Sequence, residues 1–147
     1  MQEAISAFIE CTDNEASETL RFIHNRVKKT RGLVGTVIML DHREKIWRIS
    51  GIGNISTRLY KGLEYKNIMP YNGIIGLNIP HTLTDHVSPA DSFQTLTMTS
   101  DGIRNKWDLT TYPSILKYNP AIIATAIFKD QARRTDDMSV LVAKLNF

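Results

Sequence analysis

The sequence predicts an α+β protein in which clustered antiparallel strands carry helices on the outside. Three observations lead there. The first thirty residues place apolar side chains at helical spacing; after Gly32 the apolar period changes to two; and the first three strand-like runs follow one another across short turns. Helix-helix, about five strands, two helices and a closing strand is an order that argues against alternating βαβ units and a parallel sheet. At 147 residues, with no internal repeat, linker or low-complexity tract, the chain reads as one domain.

Each element has a local reason. Ala4, Ile5, Phe8 and Ile9 give residues 2 to 10 one apolar face, predicting a short amphipathic helix. Thr12-Asp13-Asn14-Glu15 breaks it and carries cap residues. A second helix follows to about Lys29, with Ala16, Leu20, Ile23 and Val27 on one face and a basic last turn that suits the negative end of the helix dipole. Thr30-Arg31-Gly32 ends it. Leu33 to Leu40 and Lys45 to Ser50 read as strands around the polar turn Asp41-His42-Arg43-Glu44, and Ile46 and Arg48 alternate with Trp47 and Ile49. Gly51-Ile52-Gly53-Asn54 interrupts. Ser56 to Tyr60 resumes as the third strand of a meander, closed by Lys61-Gly62.

Residues 69 to 80 are punctuated by Gly, Pro and Asn and read as irregular. Leu83 to Val87 and Phe93 to Thr99 are further strands, with Ser88-Pro89-Ala90-Asp91-Ser92 as the turn between them. Leu109 to Tyr118 and Pro120 to Gln131 read as helices, the second with Asn119 as its cap and Pro120 in its first turn. Met138 to Leu145 is the final strand.

Composition narrows the function classes. A single cysteine, Cys11, excludes an intrachain disulfide and a cysteine-based metal site, and suits a reducing compartment. A net charge of +3 spread along the chain is not the clustered basic face of a nucleic-acid binder. No apolar run approaches the roughly 20 residues of a membrane helix, and Met-Gln-Glu does not begin a secretory signal, so a cytoplasmic location is expected.

Two acidic contexts carry the chemistry. In Thr97-Met98-Thr99-Ser100-Asp101-Gly102 a strand delivers an aspartate onto a glycine turn. In Arg133-Arg134-Thr135-Asp136-Asp137-Met138-Ser139-Val140 adjacent aspartates open the last strand. Carboxylates at strand ends can face a shared rim, and hard oxygen donors there select Mg²⁺ or Mn²⁺. Taken singly, a Ser-Asp-Gly is an ordinary turn and an Asp-Asp pair an ordinary solvated one. Arg133-Arg134 can clamp a phosphoryl group, pair with Asp136 and Asp137, or cap the preceding helix; the structural alternatives are favoured. His24, His42, His81 and His86 lack metal-ligand spacing and read as surface residues; Trp47 and Trp107 read as core or rim aromatics; Ser56 and Ser100 have no His/Asp pattern for a nucleophile.

The ordered set resembles the SpoIIE-type phosphatases, the bacterial branch of the metal-dependent (type 2C-like) serine/threonine protein phosphatases. Gly51-Ile52-Gly53-Asn54-Ile55 is similar to the family's G-x-G-N/H-S turn, and Gly73-Ile74-Ile75-Gly76 to its G-x-x-L/I-G segment. Leu96 to Ile103 resembles the L-x-x-x-[ST]-D-G-[IVL] strand, and Asp136 to Val142 the D-[DN]-x-[ST]-x-[LV]-x-V strand. The resemblance implies an antiparallel β-sandwich flanked by helix pairs, with two Mn²⁺ or Mg²⁺ ions at one end. It makes Asp101 and Asp136 catalytic metal ligands, with Gly102 as the turn that positions Asp101. Asp137 would act beside them or through a water. The implied activity is hydrolysis of phosphoserine or phosphothreonine on a protein, an anti-sigma-factor antagonist in a partner-switching circuit being the natural substrate.

One part of the pattern is missing. The family's D-G-x-G-x-G turn supplies an aspartate that bridges both metals, and Asp101-Gly102 is the only Asp-Gly step here. The expectation is therefore a single phosphatase-like domain over residues 1–147 that lacks its N-terminal strands and first metal motif and binds metal weakly. Its open sheet edge would be covered by a homodimer contact or by a missing N-terminal segment. A fragment or misplaced start, a degenerate paralogue and a half that pairs with another polypeptide all remain open. So does the alternative function of a catalytically inactive binding or regulatory module.

Overall fold

A computed structural model describes residues 1–91, 94–112 and 114–145. It is α+β with antiparallel sheets, as the sequence predicts, and is organised in two compact units: residues 1–55 with 69–90, and residues 56–68 with 91–147. The expected start of a strand at Phe93 and the end of a turn at Ser92 lie outside the described residues, as does Pro113 within the expected helix 109–118.

The first unit carries helices α1 (Gln2–Glu10) and α2 (Ala16–Arg26) and a three-stranded sheet. Its strands are β1 (Gly35–Asp41), β2 (Ile46–Ile52) and, later in the chain, β5 (His86–Pro89), in the order β1-β2-β5. Ala16, Leu20, Ile23 and Val27 are all buried, as their spacing predicts, and form one core with Val37, Ile52, Ile75 and Leu83. In α1 the expected face is wrong. Ala7 is its buried residue and Ala4 packs partly against the core, whereas Ile5, Phe8 and Ile9 remain exposed. Two small residues three positions apart let the helix approach closely, which the larger side chains would prevent.

Asp41 closes the β1–β2 hairpin by accepting the Arg43 and Glu44 amides at 2.8 and 3.0 Å. Those two hydrogen bonds hold its carboxyl below the usual range. The cap residues at 12–15 do not cap α2; Asp85 does, accepting the Ala16 and Ser17 amides at 3.0 and 2.6 Å. Leu83 to Asp85, expected in a strand, precede β5, and Ser88 and Pro89, expected in a turn, belong to it.

The second unit holds the sheet β4-β3-β6-β7, made of β3 (Ser56–Lys61), β4 (Glu64–Ile68), β6 (Gln94–Thr99) and β7 (Val140–Lys144), with α3 (Pro120–Gln131) packed on β7. The expected three-strand meander is thus corrected: β3 pairs with β4 and β6, not with β2. β4 has no counterpart among the expected strands. Glu64, Tyr65, Lys66 and Asn67 are exposed on this edge strand, so no apolar alternation marks it. β6 is central, with Thr97 opposite Arg58 on one side and Val142 on the other. Residues 109–118 contain two single 3₁₀ turns, Leu109–Thr111 and Ile115–Lys117, in place of the expected helix. α3 is as predicted: Asn119 accepts the Ala121 amide at 2.9 Å, and Ile123 and Ile127 are buried one turn apart. Among the described residues no helix is long and apolar enough to cross a membrane.

Candidate functional site

The acidic segments are positioned by the ends of β6 and β7. The two strands run antiparallel with Thr99 opposite Val140, so the exit of β6 and the entry of β7 lie at one end of the sheet. The pairing continues past the strands. Ser100 N–H donates to Ser139 O at 3.1 Å, and the Ser100 hydroxyl accepts the Ser139 amide at 2.9 Å while donating to Asp137 O at 3.2 Å. Further on, Arg133 N–H reaches Gly102 O at 2.9 Å, Ile103 bridges to Ala132, and Arg104 N–H donates to Gln131 O at 2.9 Å. Residues 133–138 are therefore an excursion held at both ends by the backbone of residues 100–104.

Gly102 lies against that excursion. A Cβ placed on it would sit 2.4 Å from Asp137 O and 2.7 Å from Met138 Cγ, closer than any side chain can approach. The residue before this contact is Asp101, and the residue before Asp137 is Asp136; all three aspartates are exposed. Asp136 Oδ1 accepts the amide of Asp137 at 2.8 Å, which leaves its second oxygen for other partners. The donor chemistry, oxygen throughout, suits Mn²⁺ or Mg²⁺. The number does not suffice: among the described residues no group of three or more His, Cys, Asp or Glu side chains is arranged to hold a metal. The oxygen chemistry of these residues suits a divalent ion, and their arrangement does not make a site by itself.

Arg133 and Arg134 are exposed and form no ion pair among the described residues, so of the alternatives open to them the pairing with Asp136 and Asp137 is not made. Arg134 takes a left-handed backbone, φ +58°, as the chain turns into the aspartates.

The glycine motifs lie in the first unit. Gly53 N–H donates to Tyr71 O at 2.9 Å and Tyr71 N–H to Gly51 O at 2.7 Å, joining the end of β2 to the segment before Gly73. Leu33 and Ile75 exchange backbone bonds at 2.9 and 2.8 Å. His24 is not the surface residue expected. It is partly buried and its Nδ1 accepts the Gly76 amide at 2.9 Å. Burial, and then the charge of Lys28, lower its pKa from 6.5.

Sequence reasoning missed two residues that organise these regions. Asp85 caps a helix 69 positions earlier. Arg58, in β3, donates to Trp107 O at 2.5 Å and Asn105 O at 2.6 Å and stacks on Trp107. The available signal for Arg58 was a lone charge inside an otherwise uncharged run, Ile55 to Tyr60. Ser100, which lacks the pattern of a nucleophile, instead joins the two acidic segments.

No protein-family model matches the sequence, and no curated protein matches it. Solved structures do. One comes from work on the bacterial stressosome as a modular system adapted to control secondary messenger signalling; it is 22% identical, with 97% of this chain and 74% of that one covered and a TM-score of 0.85. RsbX in complex with magnesium is 18% identical, with 95% and 71% covered and a TM-score of 0.73. The phosphatase domain of SpoIIE from Bacillus subtilis is 16% identical, with 99% and 71% covered and a TM-score of 0.61. At these identities the likeness shows the fold: the chain has the α+β fold of the type 2C-like phosphatases.

Proposed function

We propose that residues 1–147 act as one SpoIIE-type phosphatase domain in the cytoplasm, directed at a protein carrying phosphoserine or phosphothreonine. An anti-sigma-factor antagonist in a partner-switching circuit is the natural class of substrate. The observation that supports this reading is the Gly102–Asp137 contact, in a chain with the fold of these phosphatases. It brings two acidic turns to one end of β6 and β7. Asp101 and Asp136 are the proposed metal ligands, with Asp137 acting beside them or through a water and Gly102 setting the approach. Mn²⁺ or Mg²⁺, when bound in a pair, would neutralise charge on the phosphoryl oxygens and activate water for in-line hydrolysis. Three carboxylates without a bridging partner hold such ions weakly. The fourth carboxylate would come from an Asp-Gly-x-Gly turn outside these 147 residues.

A second reading is a phosphatase-like binding module without turnover. It is favoured by the absence, among the described residues, of a three-ligand group.

One assay separates them: Mn²⁺-dependent release of phosphate from an aryl phosphate and from a phosphoserine-bearing antagonist-type protein. Residues 1–147 alone are expected to turn over little. A segment carrying an Asp-Gly-x-Gly turn, joined or added, should restore activity, and Asp101→Asn or Asp136→Asn should then abolish it. Binding of the phosphoprotein with no turnover under any supply would establish the second reading. Strong turnover by the chain alone that survives both substitutions would overturn the site.

A further inference from the structure

The second unit contains a buried cation that the candidate site does not use. Arg58 lies in the middle of β3, between Asn67 of β4 and Thr97 of β6, and is only 5% exposed. A guanidinium so far from water ordinarily has a carboxylate partner. Arg58 forms no ion pair among the described residues. Its two terminal nitrogens donate instead to the carbonyls of Trp107 and Asn105, at 2.5 and 2.6 Å. Its guanidinium carbon lies 4.4 Å from the centre of the Trp107 ring and 5.1 Å from that of Tyr65. The two terminal nitrogens are thus engaged on a loop, 105–107, and the flat faces on Trp107 of that loop and on Tyr65 of β4, while Nε finds no partner among the described residues.

That loop is the direct continuation of the Asp101-Gly102 turn. Upstream, the turn is fixed by the Ser100–Ser139 bonds; just beyond it, by the Ile103–Ala132 bridge and the Arg104 amide on Gln131 O. Arg58 provides the next fixed point, across the sheet. We propose that Arg58 is a positioning residue for the Asp101 turn: by holding residues 105–107 on β3 it fixes the span that keeps Gly102 against Asp137. The positioning follows from the contacts alone, and its bearing on metal rests on the function proposed above.

Lysine at this position keeps a charge but loses the fork and most of the stacking, and methionine keeps the volume and loses the donors. The test compares Arg58→Met and Arg58→Lys with Ile127→Val, a core change on α3 in the same unit, by amide NMR and hydrogen exchange without metal and by Mn²⁺ line broadening. In Arg58→Met the Gly102 and Asp137 amides should shift, and Ile103 and Arg104 should exchange faster than in Ile127→Val at matched unfolding stability. Arg58→Lys should fall between. The Mn²⁺ concentration that broadens Asp101 and Asp136 should rise by about tenfold or more, as for other residues that orient metal ligands.

Unchanged Gly102, Asp137, Ile103 and Arg104 amides in Arg58→Met would overturn the proposal and leave Arg58 a core residue. Loss of the folded state in both Arg58 variants would overturn it too. If the unaltered protein shows no Mn²⁺ broadening at Asp101 or Asp136, the metal reading fails, and the exchange measurements still decide the role of Arg58.

Discussion

Each unit places a glycine where no side chain fits, for different reasons. In the first, Gly53 has φ +107°, a conformation L side chains rarely adopt, and an added Cβ would lie 2.3 Å from Val34 Cγ1. In the second, Gly102 has no such backbone conformation; what excludes a side chain is the Asp137 carbonyl at 2.4 Å. The first glycine is required by its own backbone conformation as well as by Val34, the second by a distant segment of chain alone. The Gly51-to-Asn54 motif is therefore accounted for within the first unit: its backbone bonds to Tyr71, and its two glycines lie against Thr36 and Val34. The Asp-Gly motif does more, because its glycine sets the distance between two acidic segments.

The largest effect should come from Gly53→Ala. Backbone strain of about 1–3 kcal/mol adds to overpacking of about 1–3 kcal/mol, so denaturant unfolding should show a loss of roughly 3 kcal/mol or more. A loss below about 1 kcal/mol would mean that Val34 and the turn relax freely.

Gly102→Ala should cost somewhat less, about 1–3 kcal/mol, since only the close contact is lost. It should differ in kind: the Asp136 and Asp137 amides should shift in NMR spectra, whereas in Gly53→Ala they should stay in place. Equal shifts in both would erase the distinction between the two glycines.

Helix caps extend the comparison on a smaller scale. Asp85 caps α2 from across the first unit with two charge-assisted bonds, and Asn119 caps α3 from the adjacent position with one neutral bond. Asp85→Ala should destabilise by about 2 kcal/mol and Asn119→Ala by about 1 kcal/mol in thermal or denaturant unfolding. The reverse ranking would mean that Asp85 is replaced by water at little cost.

The smallest effect is a pH dependence confined to the first unit. His24 accepts a hydrogen bond as the neutral ring, and its folded pKa lies below 6.5. The unfolded chain then binds the proton more readily, so this contribution is complete above pH 6.5 and is lost as pH falls toward the folded pKa. The stability difference between the protein and His24→Gln should shrink on acidification below 6.5. A difference that grows on acidification would reverse the sign and show that His24 is charged in the folded state.

What the sequence determined is what depends on near neighbours. The buried stripe Ala16-Leu20-Ile23-Val27, the Asn119-Pro120 start of α3 and the Asp41 turn all rest on residues within a few positions of one another. The candidate site is proposed on the same kind of signal: Asp101-Gly102 and Asp136-Asp137 stand out by their places at strand ends and by their resemblance to the family pattern.

Tertiary structure decided the partners. Gly51 to Asn54 reads as an interruption within a meander, yet β3 leaves β2 for β4 and β6, because strand pairing is chosen by distant residues that no local pattern specifies. β4 carries a solvated edge and so lacks the alternation that would reveal it. Asp85 and Arg58 act across 69 and 49 positions of chain, on a helix end and on a loop. Above all, the sequence could present Gly102 as a turn residue, but only the fold shows why it must be glycine: the backbone of Asp137 occupies the space a side chain would need.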